Sequence, residues 1–224
     1  MSLNVLTKQS SDNDFWKNLP AKLQVLSFAN NKISELPEDL AKESNTALQN
    51  ISLRGNQLSV LPPSITSFQG LNVLDISYNF IKSLPQDLSS LAHLTDLQAS
   101  QNNLESFPFT TSASSESNPF ASLHRLDLDH NFLASLSPDV GLVSSLTYLS
   151  LSRNHLKELP KEVWYLPHLE VLKVAKNQVE ALCIPSADDN DKRPVAPSLV
   201  HLRYIWPIHI LILNHSIPPP PTTT

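Results

Sequence analysis

The chain has 224 residues, of which 41% are hydrophobic and 17% are charged, so it is long enough to bury a substantial apolar core. Its formal net charge of −5 argues against nucleic acid as a partner, because binding to nucleic acid depends on clustered Lys and Arg side chains that neutralise phosphates. The sequence also contains no polybasic stretch of the kind that binds anionic membrane surfaces.

The first element in chain order is a polar stretch. Residues 1–14 contain Ser, Asn, Asp and Gln among few apolar residues, which predicts a flexible N-terminal tail. They have neither the basic lead nor the long apolar run of a secretory signal peptide. Phe15, Trp16 and Leu19 follow and predict a capping turn that covers the core of the first repeat.

A single phrase then recurs, with the ideal form Leu-x-x-Leu-x-Leu-x-x-Asn-x-Leu-x-x-Leu-Pro. Most intervals between its copies are 23 residues long, and a repeat at that period predicts a solenoid of stacked coils. The seven full copies begin at residues 23, 48, 71, 94, 123, 146 and 169, and an incomplete eighth copy begins at residue 199.

Each copy contains a Leu-x-Leu segment with a period of two, which predicts a short strand whose leucines point inward. Stacking the copies predicts one parallel sheet, with an aliphatic core behind it and a polar concave face in front. The asparagine of each copy should satisfy backbone groups at the turn after the strand and form a buried ladder. The predicted ladder residues are Asn31, Asn56, Asn79, Asn102, Asn131, Asn154 and Asn177.

This pattern resembles the leucine-rich repeat family, and the resemblance covers about residues 15–184. The phrase Leu-Pro-x-x-Leu-x-x-Leu between copies, as at residues 84–91, is similar to the intracellular 23-residue type. That type looks like the Ras-pathway scaffold proteins, the plant Ras-group repeat proteins and the repeat region of fungal adenylyl cyclases. The resemblance implies an α/β leucine-rich repeat solenoid with a curved parallel sheet on its concave face and an irregular or short helical convex side.

Two insertions interrupt the regular spacing. The interval of 29 residues holds a Ser/Thr-rich segment around Ser114, which predicts a mobile loop, either passive or phosphorylated. A second segment, residues 188–193, is acidic but lacks the glycine and the distant glutamate of an EF-hand, so it predicts a solvated loop.

The repeat pattern fails near the C terminus, where Pro207 stands in the place of the ladder asparagine. We therefore divide the chain into a flexible tail at 1–14, a repeat domain at 15–206 and an irregular tail at 207–224 that ends in Pro and Thr. The last segment is open to three interpretations: a strand that finishes the sheet, a weak polyproline docking site, or the product of truncating a longer protein. Its apolar run at 208–213 is too short for a membrane span, which needs about 20 residues.

The outward strand positions carry no packing role, so a partner would be recognised there. The middle of this face is acidic apart from one arginine, and its C-terminal third combines lysines and an arginine with a tyrosine anchor. We predict that the face binds a protein of complementary charge; the alternative is a solvated face without a partner. The predicted binding residues are Asp75, Tyr78, Asp96, Arg125, Asp127, Asp129, Tyr148, Arg153, Lys173 and Lys176.

Catalysis is not expected. Asp127 and Asp129 lie two residues apart, near Asp96 and His130, and paired carboxylates can act as acid and base. An open sheet, however, offers no dry pocket to shift their pKa values, and the sequence shows neither a nucleophile with its base nor a Gly-rich phosphate loop. The histidines and the single cysteine have no metal-ligand spacing, so we expect neither a metal nor a cofactor.

The cellular compartment is predicted from cysteine use. Secreted members of the family usually carry cysteine clusters at both ends, whereas this sequence contains only Cys183. Together with the N-terminal composition, this predicts a cytoplasmic protein. Two glycosylation sequons, at Asn50 and Asn214, argue in the opposite direction, but such triplets are common by chance.

The expected function is that of a non-catalytic, monomeric protein-interaction scaffold of intracellular signalling. The resemblance implies a small GTPase, a phosphatase or a kinase as the kind of partner, and the fold does not choose among them. Two alternatives remain open. The chain could be a detached recognition module of a larger signalling enzyme or ubiquitin ligase, or an extracellular recognition protein.

Overall fold

The structure, a computed structural model, describes residues 16, 19–40, 47–109 and 120–180 and the backbone of residues 201–203. Each of the eight repeat copies contributes one strand of three residues, and neighbouring strands pair in parallel in the order of the sequence. The chain therefore advances by one strand per copy along a single open sheet. The strands are β1 (Val25–Ser27), β2 (Asn50–Ser52), β3 (Val73–Asp75), β4 (Asp96–Gln98), β5 (Arg125–Asp127), β6 (Tyr148–Ser150), β7 (Val171–Lys173) and β8 (His201–Arg203).

The register places equivalent residues of successive copies side by side. Asp96 pairs with Arg125 even though the insertion lies between them, and Arg125 pairs in turn with Tyr148. The predicted columns of outward residues are therefore confirmed for the first and last positions of every strand. This alignment sets which charged side chains can meet across the face.

The core lies directly behind the sheet. The middle residue of each strand from β1 to β7 is buried, with exposures between 0% for Leu74 and 6% for Leu26. These side chains belong to one hydrophobic cluster with the other repeat leucines. Full burial of a Leu or Ile side chain is worth about 1.5–3 kcal/mol, so the repeated leucines supply the main driving force for stacking.

The opposite side carries short helical turns, as predicted. They are 3-10 helices of five residues, and each has a proline at its N-cap or its first position. The fixed φ of proline suits the start of such a turn. In the described part of the chain these helices span Pro63–Ser67, Gln86–Ser90, Pro138–Leu142 and Lys161–Tyr165.

The predicted buried asparagine ladder is confirmed for the five inner copies, whereas Asn31 and Asn177 at its two ends are partly exposed. The Nδ2 of Asn102 donates to the carbonyl oxygen of Ala99 at 3.2 Å and to that of Ile76, one copy earlier, at 3.0 Å. Its Oδ1 accepts from the backbone N–H of Ile81 at 3.0 Å. The same pattern recurs along the stack, and the ladder residues from Asn56 to Asn154 are no more than 6% exposed. These asparagines are structural, since their amides link each turn to the preceding copy.

A left-handed turn precedes each ladder asparagine. The residue at this position has φ between +56° and +67° in all seven full copies, and in only one of them is it glycine, Gly55. Three of these residues, Tyr78, Arg153 and Lys176, were predicted to lie at outward strand positions. In the structure they lie beyond the strand ends, where the backbone leaves the sheet. The turn residues are Asn30, Gly55, Tyr78, Gln101, His130, Arg153 and Lys176.

The N-terminal end of the stack is covered as the sequence predicts. Trp16 is 1% exposed, and its ring centre lies 5.5 Å from that of Phe28 in the first copy. Leu19 is also buried. The capping residue Phe15, the loops around Ser114 and at 188–193, and both predicted tails lie outside the described residues. The boundaries at 14 and 206 therefore stay predictions.

The helical elements are all short. In the part of the chain that the structure describes, none has the length and apolar character needed to cross a bilayer.

Candidate functional site

The ten predicted binding residues fall into two groups. Strand ends and the residues just after them position Asp75, Asp96, Arg125, Asp127, Asp129, Tyr148 and Lys173 on the outward surface of the sheet. We call this surface the sheet face. The remaining residues, Tyr78, Arg153 and Lys176, occupy left-handed turns beside it, and all three are exposed.

Arg125 is at the centre of the sheet face. Its Nε lies 3.8 Å from Oδ1 of Asp96 on β4, and its Nη2 lies 3.8 Å from Oδ2 of Asp127 on its own strand. The guanidinium carbon also lies 3.9 Å from the ring centre of Tyr148 on β6. An arginine over an aromatic ring at this distance makes a favourable cation–π contact. Arg125 thus connects three adjacent strands.

Tyr148 is held from its other side by Lys173. The Nζ of Lys173 donates to Oη of Tyr148 at 2.7 Å and lies 4.9 Å from the ring centre. We refer to Asp96, Arg125, Asp127, Tyr148 and Lys173 as the Arg125 network. Tyr148 was predicted to group with the basic residues of the C-terminal third. Its ring does contact one of them, Lys173, and it also contacts Arg125 from the middle of the face.

Two aspartates at strand ends have local structural roles. Oδ1 of Asp127 accepts from the backbone N–H of Asp129 at 3.1 Å, and Oδ1 of Asp75 accepts from the N–H of Ser77 at 3.0 Å. Aspartate commonly closes a turn by accepting from the N–H two residues later. Both carboxylates therefore fix the path of the chain as it leaves the sheet, and they remain partly exposed.

The carboxylate of Asp129 accepts hydrogen bonds from the next copy. Its Oδ1 accepts from Oγ of Ser150 and from the N–H of Ser152, both at 2.6 Å. Its neighbour Asp127 is already bonded as described above, so each carboxylate of the pair considered for acid–base chemistry holds a backbone turn. The two carboxylates therefore stabilise turns and add negative charge to the sheet face.

Burial shifts the pKa values of two carboxylates of the network. Desolvation raises the pKa of Asp96 above its usual value, opposed by the hydrogen bond from Gln98 and by the charge of Arg125. Desolvation also raises the pKa of Asp127, opposed mainly by the N–H of Asp129. In each case, loss of hydration on burial disfavours the charged carboxylate more than its hydrogen bonds and ion pairs favour it.

His130, in the turn after β5, shifts in the other direction. Desolvation lowers its pKa, and the nearby positive charge of Arg153 lowers it further. Both effects disfavour the imidazolium form, so His130 contributes a neutral ring to this edge of the sheet near pH 7.

Arg54 belongs to the site, although the sequence analysis did not select it. Its Nη1 donates to Oγ of Ser77 at 2.7 Å, and its guanidinium carbon lies 4.2 Å from the ring centre of Tyr78. Ser77 also donates through its hydroxyl to Asp75. The signal in the sequence was that Arg54 precedes Ser77 by one copy in the same column, which places the two residues side by side just after adjacent strands.

A groove next to the sheet face was also missed. It has a volume of about 570 Å³ and spans the turns after β3 to β6. Phe80 and Phe132 line it and are 55% and 50% exposed. These residues directly follow a ladder asparagine, at a position where other copies have Lys32, Gln57 or Gln178. Phenylalanine in this otherwise mostly polar column could have indicated the groove. The prediction missed it because it considered only the outward strand positions.

Within the described ranges, no three His, Cys, Asp or Glu side chains come close enough together to hold an ion.

Comparison with known proteins identifies the repeats. The leucine-rich repeat family model matches residues 46–104 and 121–179, and a second leucine-rich repeat model matches residues 22–42. No curated protein matches the chain by sequence.

Several solved structures share the fold. A leucine-rich repeat protein of Leptospira interrogans is 26% identical with a TM-score of 0.64, over 82% of this chain and 43% of that one. The plant peptide hormone receptor RGFR1, solved in complex with RGF2, is 27% identical with a TM-score of 0.61, over 71% of this chain and 25% of that one. An internalin from Listeria monocytogenes, 19% identical with a TM-score of 0.58 over 80% of this chain and 46% of that one, is similar in fold alone.

The chain thus spans less than half of the length of each of these solved proteins. The 23-residue strand-and-turn unit, the asparagine ladder and the family models covering more than half of the sequence agree with one another. The chain belongs to the leucine-rich repeat family.

Proposed function

We propose that the chain is a non-catalytic scaffold of intracellular signalling that binds a protein partner on the sheet face. The leucine-rich repeat family and fold suggest a protein–protein interaction module, since a solenoid presents a long, regular surface that need not pack against the rest of its own chain. The observation that carries the proposal is the Arg125 network, in which charged and aromatic side chains of four adjacent strands hold one another in place.

Such ordering favours binding. Immobilising a flexible side chain in an interface costs about 0.5–1.5 kcal/mol, and a side chain that is already held avoids much of that cost. Arg125, Tyr148 and Lys173 are all restrained by contacts within the sheet face, yet each keeps part of its surface open to solvent. Tyrosine and arginine are also the residue types most often found at the energetic centre of protein interfaces.

The charge pattern favours a partner that carries both signs. Asp75 and Asp96 make the middle of the face acidic, and the exposed cations Arg153 and Lys176 border its C-terminal side. Complementary charge raises the association rate and sets the orientation of a partner. A small GTPase, a phosphatase or a kinase remains the kind of partner that the family resemblance suggests, with the protein acting as a monomer in the cytoplasm.

Two alternatives have some support. Similarity to a plant peptide hormone receptor solved in complex with RGF2 favours an extracellular recognition protein. The short span of this chain relative to its solved neighbours is compatible with a detached recognition module of a larger signalling enzyme or ubiquitin ligase. A shift in gel mobility after glycosidase treatment would favour the extracellular alternative, and a longer transcript continuing the eighth copy would favour the detached module.

The test is proximity labelling in cells that express the full chain or a variant with Arg125→Ala and Tyr148→Ala. Both substitutions remove outward side chains and leave the leucine core intact. The matched control removes one exposed lysine and one exposed large apolar residue from the opposite side, through Lys161→Ala and Leu142→Ala.

We expect the wild-type chain and the control to enrich the same signalling protein, and the sheet-face variant to lose it. Because both substitutions also remove contacts within the Arg125 network, thermal melting checks that the variant remains folded. Equal enrichment by all three chains would refute binding on this face. Enrichment of chaperones alone would refute the scaffold proposal.

A further inference from the structure

The groove beside the sheet face has the features of a second binding site. One wall consists of left-handed turn residues, including Tyr78 and Arg153, and the other consists of residues that follow the ladder asparagines, including Phe80 and Phe132. No strand position contributes to it. The groove therefore shares no residue with the Arg125 network, although Arg153 borders both the groove and the sheet face.

Its walls carry three large aromatic side chains beside polar ones such as Gln101 and Asn103. Tyr78, Phe80 and Phe132 are each about half exposed, at 48%, 55% and 50%. The ring of Phe132 packs against that of His155, with centres 5.6 Å apart, so it is oriented before any ligand arrives. Exposed aromatic clusters of this kind often mark sites that a partner covers.

The floor of the groove offers a ligand few free hydrogen-bonding groups. It is formed by ladder residues such as Asn102 and Asn131, whose amides already bond to backbone groups of their own copy and of the preceding one. A ligand would therefore gain little hydrogen bonding from the floor. Aromatic contact and the wall amides of Gln101 and Asn103 must supply its affinity, which favours a ligand that combines rigid apolar ridges with free backbone carbonyls.

The spacing of the two phenylalanines indicates the conformation of that ligand. Phe80 and Phe132 occupy the same column two strands apart, and at about 4.8 Å per strand their positions differ by roughly 10 Å. A polyproline II helix presents the same face every three residues, or about 9.3 Å at 3.1 Å per residue. A β-strand repeats every two residues, or about 6.7 Å, and matches this spacing poorly. An α-helix regains the same face after seven residues, or about 10.5 Å, but it is about 10–12 Å wide, whereas the two walls are residues only two apart in the chain, at most about 7 Å.

Charge completes the description of the ligand. Arg153 is the one formally charged side chain among the described residues that line the groove, and it lies at the end towards β6. We propose that the groove binds a proline-rich segment of a partner protein in the polyproline II conformation, with an acidic residue of that segment against Arg153. Pre-ordered proline-rich segments commonly dock in aromatic grooves, because little conformational entropy is lost on binding. This site goes beyond the scaffold function proposed for the sheet face.

The test is fluorescence anisotropy with the full chain and two labelled peptides, EPPLPPLPP and PPLPPLPPE. Two peptides are needed because a polyproline II helix can dock in either direction. A third peptide, EVTVTVTVT, carries the same charge but favours a β-strand. We expect one proline peptide to bind, with affinity reduced about tenfold by Phe132→Ala or Phe80→Ala. Arg153→Gln should weaken binding and reduce its dependence on salt.

Val60→Ala is the matched control, since Val60 is 60% exposed and lies outside the groove; it should leave affinity unchanged. Thermal melting checks that every variant is folded. Because the chain carries prolines of its own at 218–221, the titration is repeated with those four changed to serine. The proposal is overturned if neither form binds a proline peptide, if the β-forming peptide binds equally well, or if the Phe80 and Phe132 variants keep wild-type affinity.

Discussion

Removal of one amide from the asparagine ladder tests how the repeats are held together. Asn131 is 4% exposed; its Oδ1 accepts from the N–H of Leu104, and its Nδ2 donates to the carbonyl oxygens of Ala99 and Leu128, each at 3.0 Å. In Asn131→Ala the two carbonyls keep a partner, because Asn102 also donates to Ala99 and Asn154 also donates to Leu128. The N–H of Leu104 loses its bond and stays buried.

The expected loss of stability follows from these hydrogen bonds. A buried N–H without a partner costs about 1–3 kcal/mol, and each lost bond to a carbonyl that is still satisfied costs about 0.5–1.5 kcal/mol. We expect a loss of about 3 kcal/mol in the free energy of unfolding, and a fall in Tm of roughly 6–12 °C for a domain of this size.

The assay is urea unfolding followed by circular dichroism, together with a thermal melt. Asn103→Ala is the matched control, because Asn103 lies in the exposed column next to the ladder and its one described amide bond, to the carbonyl of Phe80, is long at 3.5 Å. The control should change stability by less than about 0.5 kcal/mol. A loss below about 1 kcal/mol for Asn131→Ala would show that water or a shift of the turn replaces the ladder bonds, and would refute the reasoning.

Three further changes test other parts of the structure. Phe120→Ala should cost about 3–5 kcal/mol in urea unfolding because the ring is fully buried where the chain re-enters the stack, and a cost near zero would contradict that packing. Gly55→Ala should cost about 1–2 kcal/mol by calorimetry, since φ is +67° and the new Cβ would meet Oδ1 of Asn30 at 2.5 Å; a stabilised variant would exclude strain there. Burial raises the folded-state pKa of Asp127, so the protonated carboxyl stabilises the folded state. This stabilisation is greatest below the ordinary pKa of 3.8 and is lost as pH rises through the folded-state pKa. Asp127→Asn should therefore be at least as stable as wild type at pH 7 and flatten the dependence of Tm on pH above 3.8; an unchanged dependence would contradict this reasoning.

Much of the fold could be predicted from local pattern. The period of the repeat gave the solenoid, and the alternation within each Leu-x-Leu segment gave both the buried column and the two outward columns that the strand register confirms. These features depend on residues within one copy, or on the equivalence of copies. The ladder asparagines were predicted for the same reason, since a buried amide at a fixed turn has few alternatives to bonding the backbone.

The candidate site was predicted only in part. The sequence named all the members of the Arg125 network, but it did not show that Arg125 stacks on Tyr148 or that Lys173 bonds to the tyrosine hydroxyl. Those contacts join residues 23 or more positions apart and depend on side-chain rotamers. Periodicity determines which column a residue occupies and leaves open which neighbour its side chain turns towards.

The sequence by itself determined the architecture of this protein: the number and order of the strands, the leucine core and the asparagine ladder. Regular spacing of apolar and amide groups allows only one way to bury them, by stacking successive copies. Only the tertiary structure decided that the turn residues leave the sheet in left-handed conformations, that Arg54 packs on Tyr78, and that Phe80 and Phe132 share one groove. Each of these features arises between copies, where the path of the backbone and the packing of side chains bring together residues that the sequence separates.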